Sequence, residues 1–155
     1  MRVAFLDRDG TIIHEPPDTK LSTKETFAIL PGAIEGLRKL KGLGFQLVIV
    51  SNQGSGSPKS YREESFRETQ MMLEEACGSE GMTFDAVFMC PHTAEDACEC
   101  RKPKTGMVDA YLRSHDIDLT SSVMIGDRET DGAFAKNIGV RFVRGNGSEF
   151  PDSDY

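Results

Sequence analysis

VAFLDRDGT, residues 3–11, sets the terms for the whole chain. Four apolar residues, Val3 to Leu6, run straight into Asp7, Arg8, Asp9, Gly10 and Thr11. The run is too short for a core helix and mixes β-branched and aromatic residues, so it reads as a buried strand ending at a polar rim. Four more runs share that form: FQLVIV (45–50), DAVFM (85–89), SVMIG (122–126) and GVRFV (139–143). Helix patterns separate them. In GAIEGLRKLKGLG (32–44), Ile34, Leu37, Leu40 and Leu43 fall at helical spacing, with Pro31 at the start and Gly44 at the end. YREESFRETQMMLEEACG (61–78) has acids early and a closing glycine. TGMVDAYLRSHD (105–116) and RETDGAFAKNIG (128–139) complete the set. Strand–helix alternation with continuously apolar strands implies an α/β fold whose parallel sheet is covered on both faces. Residues 12–30 show no clear period and read as an excursion after the first strand, and the tail RGNGSEFPDSDY (144–155) reads as loosely ordered.

In open α/β sheets, ligands bind beyond the carboxyl ends of the strands. After VAFL comes DRDGT; after FQLVIV comes SNQ; after DAVFM comes a cysteine loop ending in RKPK; after SVMIG comes DRETD. Taken alone, Asp9-Gly10 between apolar runs also fits a hairpin turn. The other strand ends argue against that, because they bring carboxylates from two distant segments to one rim. Clustered like charges are costly unless a cation compensates them. A hard divalent ion such as Mg2+ does so, and it commonly bridges carboxylates and a substrate phosphate. Asp7 and Asp9 are two apart, so in extended backbone they share a side while Arg8 points away. Asp7 can then attack phosphorus and Asp9 can move the proton. Ser51 and Lys102 can hold and neutralise the phosphoryl oxygens. Asp127 offers a second metal carboxylate, and Asp131 a third or a support for the others.

The whole chain narrows the setting. Its 155 residues suit one domain, 1–155, with a single core and no separate cap. Apolar residues at 38% and charged residues at 28% suit a soluble protein. No apolar run approaches the roughly 20 residues needed to cross a bilayer, and no signal peptide is visible. Four cysteines and no targeting signal point to the cytoplasm. The net charge of −7 disfavours nucleic acid and anionic membrane as partners. A small-molecule partner is expected, and a monomer is sufficient.

FLDRDGT (5–11), Ser51 in VIVSNQ, Lys102 in CRKPK and IGDRETD (125–131) resemble, in order, the four motifs of the haloacid dehalogenase superfamily of phosphohydrolases. The resemblance implies a Rossmann-like three-layer sheet without a large cap. It implies Asp7 as nucleophile, forming an aspartyl-phosphate, and Asp9 as acid/base. It also implies Mg2+ held by Asp7, the Asp9 backbone carbonyl and Asp127.

Three of the four cysteines fall in CPHTAEDACECRKPK, from Cys90 to Lys104. Cys90, His92, Cys98 and Cys100 form C-x-H-x5-C-x-C, a soft-ligand set that favours Zn2+. Four protein ligands leave no open position, so the expected zinc is structural. A Cys98–Cys100 disulfide would be strained and out of place in the cytosol. The loop, with its short spacer, resembles the histidinol-phosphate phosphatase branch, as do GDR (126–128) and EPPD (15–18). The D-glycero-D-manno-heptose 1,7-bisphosphate phosphatases are the related alternative. The resemblance therefore implies hydrolysis of L-histidinol phosphate to L-histidinol and phosphate, in histidine biosynthesis. It runs from about residue 2 to residue 143, and no dehydratase domain follows, which fits a single-activity protein or one domain of a longer one. The NQGSGSPKS loop (52–60) departs from it in being rich in glycine and serine.

Glu15, fixed by Pro16 and Pro17, is expected to face the ammonium or imidazole of such a substrate. Asn52, Gln53 and Arg101 are candidate substrate contacts, and Arg128 a support for Asp127. His14 and His115 read as surface residues. Cys77, with Met71, Met72 and Leu73 before it, reads as helix-face packing.

Overall fold

The computed structural model describes residues 1–18, 20–54 and 56–145. The tail beyond residue 145 lies outside them. Five strands form one sheet: β1 (Arg2–Leu6), β2 (Phe45–Asn52), β3 (Ala86–Cys90), β4 (Val123–Gly126) and β5 (Arg141–Arg144). They are all parallel, in the order β3-β2-β1-β4-β5. The helices are α1 (Ala33–Gly42), α2 (Lys59–Ser79), α3 (Asp109–Ser114) and α4 (Glu129–Ile138).

Alternation along β1 shows how the layers form. Ala4 and Leu6 face one side with Leu47 and Ile49 of β2, against Ala33, Leu37 and Leu40 of α1 and Leu73 and Cys77 of α2. Val3 and Phe5 face the other side with Val48, Val50 and Met124, against Val108 before α3 and Phe134, Ala135 and Ile138 of α4. A strand buried on both faces has no polar side to show, which is why the runs read as continuously apolar. The expected three-layer α/β sheet is what forms.

Several element ends differ from the sequence reading. Helix α1 stops at Gly42, so Leu43 lies past its end and is 43% exposed. Helix α2 begins two residues earlier than read, at Lys59, and its first turn carries no acid. Helix α3 is six residues long, because Thr105–Val108 form turns instead. Cys77 and Leu73 pack in the core, but Met71 is 69% exposed and belongs to the opposite face. His14 and His115 are exposed, as expected.

Among its described residues the excursion 12–30 contains no strand or helix, yet it is tied down. Ile12 and Ile13 are buried, Ile13 bridges Ile29, and Leu30 N donates to the Ile12 carbonyl at 2.9 Å. This places Glu15 over the sheet's carboxyl edge. Among the described residues, no helix is long and apolar enough to cross a membrane.

Candidate active site

The site lies where β1, β2 and β4 end. Asp7 continues β1 by one bond, its N–H donating to the Ile125 carbonyl of β4 at 2.9 Å. The chain then turns sharply: Gly10 N donates to Ile13 O at 2.8 Å and Ile12 N to Arg8 O at 2.8 Å. Gly10 makes the turn at φ +86°, and a Cβ there would stand 3.2 Å from Asp127 Oδ2. Only glycine adopts that φ freely and leaves the carboxylate its space.

Lys102 occupies the centre. Its ammonium donates to Asp7 Oδ1 at 3.0 Å, Asp131 Oδ1 at 2.8 Å and the Val50 carbonyl at 2.7 Å. Its backbone is gripped by the Asn52 amide, which accepts from Lys102 N at 2.9 Å and donates to Lys102 O at 3.2 Å. Asn52 sits at the end of β2, so the sheet itself aims the lysine. Burial opposes the charge of Lys102, but Asp7 and Asp131 outweigh it and hold the ammonium's pKa above its ordinary value.

Asp7, Asp127 and Asp131 bring carboxylate oxygens within 4.8 Å of one another. Burial pushes Asp7 up to about 7 against the pull of Lys102, and Asp131 adds to the rise. Asp131 has both oxygens engaged: Oδ1 by Lys102, and Oδ2 by the Arg128 N–H at 3.2 Å, a bond that caps α4. Asp127 differs. Its Oδ1 is buried and has no hydrogen-bond partner. A buried, unpartnered carboxylate oxygen beside a second carboxylate is a donor set suited to a hard cation. Asp7 and Asp127 therefore fit Mg2+, and Asp131 serves as their support. Arg144 of β5, which sequence reasoning did not single out, fixes the Asp127 backbone by donating to its carbonyl at 2.8 Å.

Asp9 is clasped from two sides. Arg8 donates to its Oδ1 from Nε at 3.2 Å and from Nη2 at 3.0 Å, and Gln53 Nε2 donates to Oδ2. Arg8 was expected to point away from the two aspartates. Instead the turn folds it back onto Asp9, and it is fully buried. Ser51, buried, accepts from the same Gln53 nitrogen at 2.9 Å, which leaves its own proton available.

The remaining candidates line an adjoining cavity of about 290 Å³, with Glu15, Asn52, Gln53, Arg101 and Arg128 in its wall beside Asp18 and Lys20. Glu15 is paired with Arg128. Arg128 was read as a support for Asp127; its side-chain bond goes to Glu15, and its backbone supports Asp131. Arg101 donates to the His92 carbonyl at 3.0 Å.

The cysteine loop sits next to this cavity. Cys90 Sγ lies 3.5 Å from His92 Nδ1, 3.6 Å from Cys98 Sγ and 3.0 Å from Cys100 Sγ. All four ligand atoms lie within 4.8 Å of one another, and none of the cysteines is in a disulfide. Three thiols and one imidazole converging in this way fit a closed soft-metal site. Where the loop leaves β3 it is tied to the residue just past β2, since Gln53 N donates to Cys90 O at 2.7 Å. It also crowds Gly54, where a Cβ would collide with the His92 carbonyl.

Comparison with known proteins agrees with this geometry. A family model for HAD-hydrolase-like proteins matches residues 99–144. The histidine biosynthesis bifunctional protein HisB of Legionella pneumophila (strain Lens) is 39% identical over 142 residues, covering 92% of this chain and 40% of its own length. That of Campylobacter jejuni subsp. jejuni serotype O:23/36 (strain 81-176) is 42% identical over 145 residues, covering 92% of this chain and 41% of its own. The chain thus spans about two fifths of the length of these relatives. The crystal structure of D,D-heptose 1,7-bisphosphate phosphatase from B. bronchiseptica, complexed with magnesium and phosphate, superposes with a TM-score of 0.82 at 28% identity, covering 95% of this chain and 83% of that one. In its sheet, the order of its strand-end residues and these likenesses, the chain is similar to phosphatases of the haloacid dehalogenase superfamily and shares their fold.

Proposed function

We propose that the chain, acting as one unit and as a monomer, is a Mg2+-dependent phosphomonoesterase that hydrolyses L-histidinol phosphate to L-histidinol and phosphate. One observation carries the reaction class: the unpartnered Asp127 Oδ1 beside Asp7, with Lys102 between Asp7 and Asp131. Kinship with proteins named for histidine biosynthesis supports the substrate.

In the first step an Asp7 carboxylate oxygen bonds to phosphorus as the P–O bond of the ester breaks, and Asp9 gives its proton to the leaving alkoxide. In the second, Asp9 takes a proton from water, whose oxygen bonds to the phosphorus of the aspartyl-phosphate as the Asp7 Oδ–P bond breaks, releasing phosphate and restoring the Asp7 carboxylate. Asp7, Asp127 and the Asp9 backbone carbonyl would hold Mg2+, which when bound offsets negative charge on the carboxylates and the phosphoryl group. Ser51 donates to a phosphoryl oxygen, and Lys102 keeps Asp7 aimed while neutralising its surroundings. Cys90, His92, Cys98 and Cys100 hold a structural Zn2+. Burial raises the proton affinity of Glu15 against the pull of Arg128, and the Glu15–Arg128 pair stands at the cavity wall, where the substrate's ammonium or imidazole can share the carboxylate. Asn52, Gln53 and Arg101 border the same space.

Heptose 1,7-bisphosphate is the second reading. The likeness to a phosphatase of that compound favours it, and Lys20, Arg101 and Arg128 in the cavity wall would suit a second phosphate. The test is phosphate release from both compounds, compared as kcat/KM. Histidinol phosphate should be preferred, with activity lost in EDTA, restored by added Mg2+ and abolished in Asp7→Asn. Preference for the bisphosphate overturns the substrate, and substantial turnover by Asp7→Asn overturns the mechanism. An unchanged KM for histidinol phosphate in Glu15→Gln removes Glu15 from recognition.

A further inference from the structure

We infer that Arg8 is a positioning residue for Asp9, holding from beneath the carboxylate that delivers the proton to the leaving alcohol. The inference rests on the acid/base role proposed for Asp9. Arg8 shows no solvent exposure. Its Nη1 donates to the Phe66 carbonyl at 3.2 Å and reaches Gln70 Oε1 at 3.5 Å, and its guanidinium lies 4.0 Å above the Phe66 ring. Helix α2 therefore fixes the inner edge and one face of the group. What remains is the Nε–Nη2 edge, which meets Asp9.

A sealed cation of this kind is a poor filler. Desolvating a charge is costly, and an apolar residue of similar size would pack the space at less cost. The arrangement does have a consequence for chemistry. A planar fork against one carboxylate sets its direction as well as its charge, which a lysine's point charge does not. Gln53, reaching Oδ2 from the β2 loop, closes the clasp from the opposite side. Proton delivery depends on this direction, since an error of about 1 Å in a reacting group can cost on the order of 100-fold in rate.

The role makes a distinction that general destabilisation does not. In the first step the P–O bond breaks as the Asp9 proton moves to the departing oxygen. An alkoxide needs that proton; a p-nitrophenolate leaves without it. Because kcat/KM reports steps up to departure of the leaving group, the two ester classes separate the proton transfer from attack by Asp7. The experiment compares wild type, Arg8→Lys and Phe66→Leu on histidinol phosphate and on p-nitrophenyl phosphate, both with Mg2+. Thermal melting provides the check on folding. Arg8→Lys keeps the charge and loses the fork. It should lower kcat/KM for histidinol phosphate on the order of 100-fold and leave p-nitrophenyl phosphate little changed. Phe66→Leu removes only the stacked ring and should show a smaller loss with the same selectivity; it carries the comparison if Arg8→Lys does not fold. An equal fall on both esters, or no fall on either, in a wild-type-active background overturns the role of Arg8 alone. A wild type inert to both esters with Mg2+ overturns the parent reading and this inference with it.

Discussion

Lys102, 3% exposed as a residue, meets Asp7, Asp131 and the Val50 carbonyl through its one ammonium. Removing that charge leaves two buried carboxylates facing each other without a protein cation. Lys102→Met should therefore destabilise the Mg2+-free protein by about 3–5 kcal/mol, the range seen when one partner of a buried pair is lost. Urea unfolding at neutral pH measures it, and a loss below about 1 kcal/mol would show the pair to be screened. The positions of Asp7, Asp9, Ser51 and Asp127 were legible in the sequence because each lies at or just past the end of an apolar strand, and that of Lys102 because a basic pair closes the cysteine loop that leaves β3. The partners were less so. Arg8 was placed by the two-residue period of extended backbone, but the chain leaves that geometry at the 8–13 turn and period no longer sets direction. The grip of Arg8 and Gln53 on Asp9, and the Glu15–Arg128 pair across 113 positions of sequence, depend on how loops return over the sheet edge.

The cysteine loop links two kinds of site within one element. It leaves β3 at Cys90, gathers four soft ligands by Cys100, and reaches Arg101 and Lys102 at once. Its anchors include the Gln53 N–H on the Cys90 carbonyl at 2.7 Å, Arg62 of α2, which donates to the Pro91 carbonyl at 2.5 Å, and Asn52, which holds Lys102. Zinc on the four ligands would fix the span between those anchors. Cys100→Ser should thus lower zinc content on metal analysis and reduce kcat on the order of 100-fold, because Lys102 loses its aim. Loss of zinc with Mg2+-dependent turnover intact would show that the loop does not position the lysine. The convergence of Cys90, His92, Cys98 and Cys100 was legible as a spacing of residue types. The extents of the helices were less so: α2 takes in Lys59 and Ser60 after Pro58, and α3 shrinks to Asp109–Ser114 because Val108 is buried from a turn rather than from a helix.

At the scale of the whole molecule, the parallel sheet and its two covers were legible because the central strands β1, β2 and β4 carry apolar residues on both faces. The order β3-β2-β1-β4-β5 was not, since similar apolar runs carry no label for their neighbours. That order places β1 between β2 and β4 and so gathers Asp7, Ser51 and Asp127 at one edge. Folding pays for this crowding of carboxylates, and the cost should depend on pH. Asp7 is raised from an ordinary 3.8 to about 7, first by burial and then, against Lys102, by Asp131. Between those values the folded chain holds a proton that the unfolded chain has released. Stability from this group is therefore full below about pH 3.8 and is lost as pH rises through about 7. Mg2+ requires the ionised carboxylate, so its stabilising effect should run the other way and be larger at about pH 8 than at about pH 5.5. Thermal melting at both values, with and without Mg2+, measures this directly. Without Mg2+ the wild type should melt lower at the higher pH, Mg2+ should recover most of the difference there, and Asp7→Asn should flatten the pH slope and abolish most of the Mg2+ effect. Equal stabilisation by Mg2+ at both pH values, or the same slope in Asp7→Asn as in wild type, would mean that Asp7 is not the group at which the fold and the cation are coupled.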